Sequence, residues 1–561
     1  MKPPQTAFIA GASERRGENA EGVAASIHSV QLRSLQGWAR LRELSPALIA
    51  TACFASFVGY FGLLCVRPDW GGDLQMYCAG ISRLYRDMLH PLHEAAAAPG
   101  EQSTVYTVYL VALALFGRLL ALTPFQVLQV AGVVNLFVLA GAVCYLFSRA
   151  SLHRRWLLPA ACFLFCALCL HWRHYGWSSA LMLTNVQYVQ PYPSTFGWSA
   201  AFVSFGLMED LKQRARPRDF AAAVVVMTVL LLTHVLTASW VVGIGGLFAL
   251  HTAMQRRSLK PLAAAALVLG LALIPAAAWP YSPFFGQKSM AGIKEGAPFG
   301  GFPWNEFPLT YAVGLACFGY LWWRLRRHGF WFVSLVATLG ALGLWHAIHF
   351  EFGDRYALFA LFPLQFAAAE VMAIGLYLLL GLPAGLPEPT HRWERPAVLS
   401  ALAVICLSWL PSPMLDVARQ SKNWGRMASV ASILERPSQH DAYYQAFAPL
   451  NVHLSGEDIV ITPVSRAVFD LASVTGASVV ASPNAWTVPD RLARVQAVND
   501  FFSPRTASST RVAIARRWRA TRVLIPRSHF HLLPVLMQTF GPELYRDDQK
   551  VLLSAESAVG A

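Results

Sequence analysis

The feature that most constrains this chain is its succession of apolar blocks, each about as long as a membrane helix, separated by short loops in which arginine and lysine cluster. A bilayer core about 30 Å thick takes roughly 20 apolar residues in an α-helix, and the backbone can cross it only if its polar groups are satisfied internally. The charge content agrees: only 14% of the 561 residues are charged, against about 25% in an average soluble protein. A soluble enzyme, a disordered chain and a disulfide scaffold are excluded. The fold class is an α-helical polytopic membrane protein with a small C-terminal α/β domain.

Apolar length and basic flanks predict eleven membrane helices, over 45–66, 125–147, 156–172, 192–209, 219–233, 236–254, 261–279, 309–323, 330–349, 356–381 and 397–411. The net charge is +14, and its placement says more than its size. With the N-terminus inside, the clusters Arg154-Arg155, Lys212 to Arg218, Arg256-Arg257-Lys260, Arg324-Arg326-Arg327 and Arg392 to Arg395 all fall in the cytoplasm, as basic loops do. No basic stripe with interleaved aromatics appears, so nucleic acid is not an expected partner. Residues 1–44 are polar and read as a disordered cytoplasmic N-terminus, too long and too polar for a cleaved signal. The expected location is the cell (inner) membrane, crossed many times.

Residues 105–122 are apolar enough to span, but Thr123-Pro124 leaves almost no turn before the next helix. Counting them as a span would push Arg154-Arg155 outside, so they read as a juxtamembrane or re-entrant helix on the outer side. The transmembrane part thus covers 45–412, with a first outer loop at 67–104. Further outer segments are 173–191, 280–308 and 349–356. From 413 to 561 the composition becomes that of a soluble extracytoplasmic module. DIVITP, ASVVAS and TRVLIP read as buried strands, and SRAVFDLASVTG, DRLARVQAVNDFF and STRVAIARRW as helices between them. All nine cysteines precede this module, which must fold without disulfides. No glycine-rich nucleotide cradle occurs in the basic loops, so chemistry is expected on the outer side.

The first outer loop carries the strongest candidates. Asp69 and Asp73, in RPDWGGDLQMYCAGISRLYRD, lie where an apolar helix hands over to a polar loop. A carboxylate there can take a proton from an incoming hydroxyl, with partial burial raising its pKa towards a useful range. The alternative for both is helix capping, or an ion pair with Arg67 or Arg83.

These residues resemble the first outer loop of the GT-C glycosyltransferases, in particular the polyprenol-phosphate-sugar-dependent mannosyltransferase branch. Asp73, Leu74 and Tyr77 are followed by Leu84-Tyr85, while Tyr106-Thr107-Val108-Tyr109 stands where that branch has a proline pair. The resemblance implies a membrane-embedded transferase. Its donor partner is a sugar on a polyprenyl phosphate, and its acceptor is a lipid-linked molecule or a glycan outside the cytoplasm. It also implies inversion at the anomeric carbon. By position Asp73 is the general base and Asp69 the fallback.

A lipid-phosphate leaving group calls for a cation at the outer surface. Arg355, in Phe352-Gly353-Asp354-Arg355-Tyr356, is the first choice, since a guanidinium fork matches phosphate oxygens; a local pair with Asp354 or Glu351 is its alternative. Lys288 and Lys294 flank a glycine-rich outer loop able to close over a donor, or simply solvated. His234, in LLLTHVLTASW, sits at a tight outer connection, as a phosphate or sugar partner or as a satisfied core residue. Gln187 and Gln190 are candidate sugar-hydroxyl partners, with Tyr188 and Tyr192 as stacking faces or interfacial belt residues. Glu370 is an acid inside a span, too deep for this site and without an assigned role. No cofactor is expected, and no metal site is demanded, although Asp69, Asp73 and Glu351 are the carboxylates that a divalent cation would use. The rival readings are a lipid or solute transporter, a lipid-linked polysaccharide polymerase or ligase, and a structural membrane subunit. The absence of a clear internal repeat speaks against the transporter.

Overall fold

The computed structural model describes residues 44–66, 73–99, 105–153, 155–169, 190–214, 216–281, 308–325, 361–382, 393–409, 444–483 and 490–560, with single positions at 70, 103, 186, 359 and 488. Asp69, Gln187, Tyr188, Lys288, Lys294 and Arg355, and the predicted span 330–349, lie outside these residues.

The chain enters the described part through α1 (Leu44–Val66). Then come α2 (Leu74–Arg86), α3 (Val108–Leu119), α4 (Pro124–Ala150), α5 (Leu157–Cys169) and α6 (Pro193–Gln213). These are followed by α7 (Pro217–Thr233), α8 (Val235–Arg256), α9 (Lys260–Ala278), α10 (Pro308–Leu325), α11 (Leu361–Leu379) and α12 (Glu394–Trp409). Among the described residues five helices, α1, α4, α8, α9 and α11, are by length and composition apolar enough to cross a membrane. The helices α5, α6, α7, α10 and α12 occupy further predicted ranges and are shorter or less apolar. At 12 residues, α3 is only about 18 Å long, too short to cross by itself.

The bundle is built around α11, whose residues Leu361 to Gly375 are all buried. Its phenylalanines interdigitate with neighbouring aromatics: Phe366 stacks on Phe147 at 4.5 Å, Phe362 on Phe202 at 5.3 Å, and Phe359 just before it on Trp240 at 4.5 Å. In contrast α1 and α9 are largely exposed, as helices facing lipid must be.

One end of the bundle gathers the basic clusters. Arg149 at the end of α4 pairs with Asp210 near the end of α6, at 3.2 Å. Arg256 at the end of α8 donates to the Lys212 carbonyl. Arg324 at the end of α10 pairs with Glu394 at the start of α12, at 3.1 Å. Glu370 finds its explanation here. His153, in the connection between α4 and α5, places its Nε2 3.2 Å from the Glu370 carboxylate, both side chains being fully buried. Tyr377, two turns further along α11, donates to the Arg155 carbonyl at 2.9 Å. The intramembrane acid therefore fastens the α4–α5 connection to the central helix.

After residue 444 the chain forms a five-stranded mixed sheet. Its elements are β1 (Ile459–Ile461), α13 (Ala467–Thr475), β2 (Ser478–Val479), α14 (Arg491–Phe501), α15 (Ser508–Arg517), β3 (Arg522–Pro526), α16 (Leu533–Phe540), β4 (Glu543–Arg546) and β5 (Lys550–Ser554). The order is β2-β1-β3-β5-β4, with β1 parallel to β2 and β3, and β5 antiparallel to β3 and β4. The three strands and three helices expected from alternation are present. The β4–β5 hairpin is an addition: ELYR is polar and half-buried, so it carries no strong strand pattern.

Candidate functional site

Asp73 sits at the N-cap of α2, three residues after Trp70, which packs on Phe125 at the end of α4 opposite Arg149. The helix follows from its spacing. Leu74, Cys78 and Ile81 fall on one face and are buried against the bundle, and the next turn adds Leu84. The Asp73 carbonyl accepts from Tyr77 N at 3.0 Å, while its side chain makes no capping hydrogen bond to the helix. Capping thus does not account for this carboxylate. Of the two arginines expected as partners, Arg83 lies near the far end of α2 and is bound elsewhere, and Arg67 lies outside the described residues.

Two phenols frame Asp73. Tyr77, one turn along α2, packs on Tyr192 with ring centroids 5.0 Å apart. Burial, and then the Asp73 charge, push the Tyr77 hydroxyl well above the usual phenol range, so it remains a neutral donor at any working pH. Tyr192 ends the segment that leads into α6 and is itself within reach of the Asp73 charge.

Gln190, expected as a sugar partner, is bonded inside the protein. It is fully buried, and its amide is spent inside the protein. Nε2 donates to the Phe61 carbonyl at 3.0 Å, and Oε1 accepts from Cys65 Sγ at 2.9 Å and Trp70 Nε1 at 3.3 Å. Asn135 of α4 donates to the Gln190 carbonyl at 2.8 Å and to the Tyr109 hydroxyl at 2.8 Å, and Tyr109 donates on to the Pro191 carbonyl at 2.8 Å. This network ties the end of α1, Trp70, α3 and α4 to the segment carrying Tyr192. It forms the frame of the site.

His234 is the single residue between α7 and α8, and the chain reverses there. Its backbone closes α7 through Leu230, and its Nδ1 caps α8 by accepting from Thr237 N at 3.3 Å, with Thr237 Oγ1 at 2.7 Å. Gly197 of α6 lets this corner approach: a Cβ there would lie 3.0 Å from the His234 Cβ. His234 therefore belongs to the same end of the bundle as Tyr192, and one ring nitrogen works as a helix cap.

The far end of α2 is fastened to the sheet. Arg83, 3% exposed, donates to the carbonyls of Gly476 at 2.5 Å and Ala477 at 3.0 Å and to Ser478 Oγ at 2.7 Å. Arg86 donates to Gly476 O at 3.1 Å and Thr475 O at 3.0 Å. These carbonyls end α13, where the helix dipole favours cations. Beyond α2 the first outer loop continues as an extra edge on β2: Val479 N donates to Ala95 O at 2.8 Å and Ala97 N to Val479 O at 2.9 Å. Spacing gave one clue to this seam: Arg83 and Arg86 share a helix face, and Gly476 ends an amphipathic run. Which segment they would meet was not legible.

Beside this seam lies a cavity of about 720 Å³, lined by Leu89, His90 and Leu92 of the loop, Pro280 and Tyr281 after α9, and Glu457 of the sheet module, among others. Among the described residues no group of three or more His, Cys, Asp or Glu comes together as a metal site.

The fold has counterparts among solved structures. The oligosaccharyltransferase AglB of Archaeoglobus fulgidus in complex with an inhibitory peptide and a dolichol-phosphate superposes with a TM-score of 0.55 at 14% identity, over 86% of this chain and 69% of that one. Its apo form gives 0.54 at 13% identity over the same shares. The arabinofuranosyltransferase AftD from Mycobacteria gives 0.51 at 14% identity, over 85% of this chain and 35% of that much longer one. These neighbours are GT-C membrane glycosyltransferases, and the chain shares their fold. No family model and no curated protein matches the sequence. The GT-C likeness is thus one of three-dimensional arrangement, reached with few identical residues.

Proposed function

We propose that this GT-C-fold protein transfers a sugar from a polyprenyl-phosphate donor to an acceptor outside the cytoplasm, with Asp73 as general base. The observation that carries the reading is Asp73 itself. A carboxylate at the head of α2, turned to no capping duty, stands at the end of the bundle away from the basic clusters. The GT-C neighbours support lipid-linked sugar transfer in general, and the AglB structure with a dolichol-phosphate holds a lipid of the class required.

In this mechanism Asp73 removes the proton from an acceptor hydroxyl as the oxygen attacks the anomeric carbon. The bond from that carbon to the phosphate oxygen breaks on the opposite face, the polyprenyl phosphate leaves, and the configuration inverts. Tyr77 and Tyr192 bound the space beside the base, and Asp69 remains its fallback. Arg355 is assigned to the leaving phosphate on the chemistry of its guanidinium, with Lys288 and Lys294 as the cations of the donor-covering loop. On this reading the protein lies in the inner membrane with its basic ends and N-terminus facing the cytoplasm and residues 413–561 outside it, as the preference of basic loops for the cytoplasmic side suggests. The cleft beside Tyr281 and Glu457 is within the range of about 300–1,000 Å³ typical of ligand sites; lying beyond the far end of α2 from Asp73, it is assigned to a part of the acceptor remote from the reacting hydroxyl. The mechanism requires no cofactor or metal, so EDTA leaves turnover unchanged; a loss restored by a divalent cation would make Asp73 a ligand instead of a base.

The test is sugar release by the purified protein from a panel of polyprenyl-phosphate sugars, set beside a diphosphate-linked oligosaccharide. Consumption of a monophosphate donor that vanishes in Asp73→Asn supports the reading. Consumption of the diphosphate-linked glycan alone establishes the polymerase or ligase alternative, and consumption of neither removes the transferase reading.

A further inference from the structure

The two arginines at the end of α2, Arg83 buried and Arg86 exposed, stand at a seam between segments nearly four hundred residues apart in sequence. A guanidinium is placed at 3% exposure only where its hydrogen bonds offset the loss of hydration. We propose that the C-terminal sheet module is a clamp that sets the position of α2, and through it of Asp73, with Arg83 and Arg86 as the positioning residues. This rests on the reading of Asp73 as the base.

The geometry supports the clamp at both ends of one rigid element. With 13 residues α2 is about 20 Å long. Its first turn packs on the bundle through Leu74 and through Tyr77 against Tyr192. Its last turn is held by five charge-assisted hydrogen bonds to residues 475–478, three from Arg83 and two from Arg86. The β-bridge between Ala96 and Val479 anchors the following loop to the same strand. Gly476 is fitted to this arrangement. Its φ of +73° suits glycine, and a Cβ there would collide with the Arg86 guanidinium. A helix pinned at one end only would pivot, and a displacement of about 1 Å at a reacting group can cost 10²-fold in rate. The sheet module, far from the chemistry in sequence, thus bears on kcat.

The experiment uses the full chain in nanodiscs: wild type, Arg83→Ala, Arg83→Lys and Gly476→Ala. Backbone hydrogen exchange over residues 74–86 is read beside sugar transfer from a polyprenyl-phosphate donor. Arg83→Ala and Gly476→Ala are expected to speed exchange across α2 by roughly tenfold or more, with α4 and α8 unchanged. Their kcat falls by about 10–100-fold while donor KM stays within about twofold. Arg83→Lys, which keeps the charge but not the fork, recovers part of both, and it carries the test if the alanine variant does not fold. Unchanged exchange in α2 overturns the clamp. Faster exchange with unchanged kcat overturns the positioning role. If wild type transfers no sugar from any polyprenyl-phosphate donor, the functional reading fails separately, and exchange alone decides the clamp.

Discussion

Replacing Asp73 by Asn is the sharpest perturbation available, because the structure separates its effect on chemistry from its effect on folding. The backbone bond from Tyr77 N to the residue 73 carbonyl survives the change, and no side-chain capping bond is lost. Asparagine is also an N-cap residue as good as aspartate. It also keeps the shape of the side chain and its oxygen acceptor, so stability is expected to stay within about 1 kcal/mol of wild type. A positioned base contributes roughly 10²–10⁴-fold, which at 1.36 kcal/mol per tenfold is about 3–5 kcal/mol of barrier. The assay is single-turnover consumption of a labelled polyprenyl-phosphate sugar in proteoliposomes, with donor KM and the thermal midpoint measured on the same samples. The expected result is a fall in kcat of that size at unchanged KM and midpoint. Turnover within about threefold of wild type in a folded Asp73→Asn protein, far short of what a positioned base supplies, would refute the assignment. A loss that tracks a lowered midpoint would show that Asp73 holds the fold.

Three further outcomes follow from buried groups. Glu370→Ala breaks the buried pair with His153 from one side, which typically costs about 3–5 kcal/mol; the thermal midpoint should drop clearly, far less in Glu370→Gln, with donor KM unchanged. Gln190→Ala removes the amide that bonds Phe61 O, Cys65 Sγ and Trp70 Nε1, so a loss of about 1–3 kcal/mol in stability is expected, with the remaining folded protein keeping its donor KM; a KM effect without destabilisation would return Gln190 to the sugar site. Burial pushes the Asp470 carboxyl of α13 up to about 7 from 3.8, and its Oδ1 has no hydrogen-bond partner among the described residues. The folded state thus holds a proton that the unfolded chain releases, and stability falls as pH rises from about 4 through 7. Asp470→Asn should therefore raise the midpoint at pH 7.5 and leave it unchanged near pH 4; no difference at pH 7.5 contradicts the burial argument.

The sequence by itself determined the class of molecule and much of its layout. Apolar block length specifies membrane helices because the bilayer permits little else. Strand and helix periods marked out β1, β2, β3 and the helices between them, since one buried face per element is a local property of the pattern. Asp73 was legible for the same reason, as a carboxylate where a span hands over to a polar loop. What tertiary structure alone decided was which distant groups meet. Gln190 looked like a sugar ligand because a glutamine beside tyrosines has the right chemistry, but the end of α1 and Trp70 bond its side-chain amide inside the protein. Glu370 had no role along its own helix because its partner, His153, comes from another connection. Arg83 had the nearby aspartates as its only legible partners, whereas its bonds go to the sheet module, as do those of Arg86. Hydropathy and periodicity report how a residue relates to solvent or lipid, whereas a hydrogen-bond partner hundreds of residues away is fixed only when the whole chain has packed.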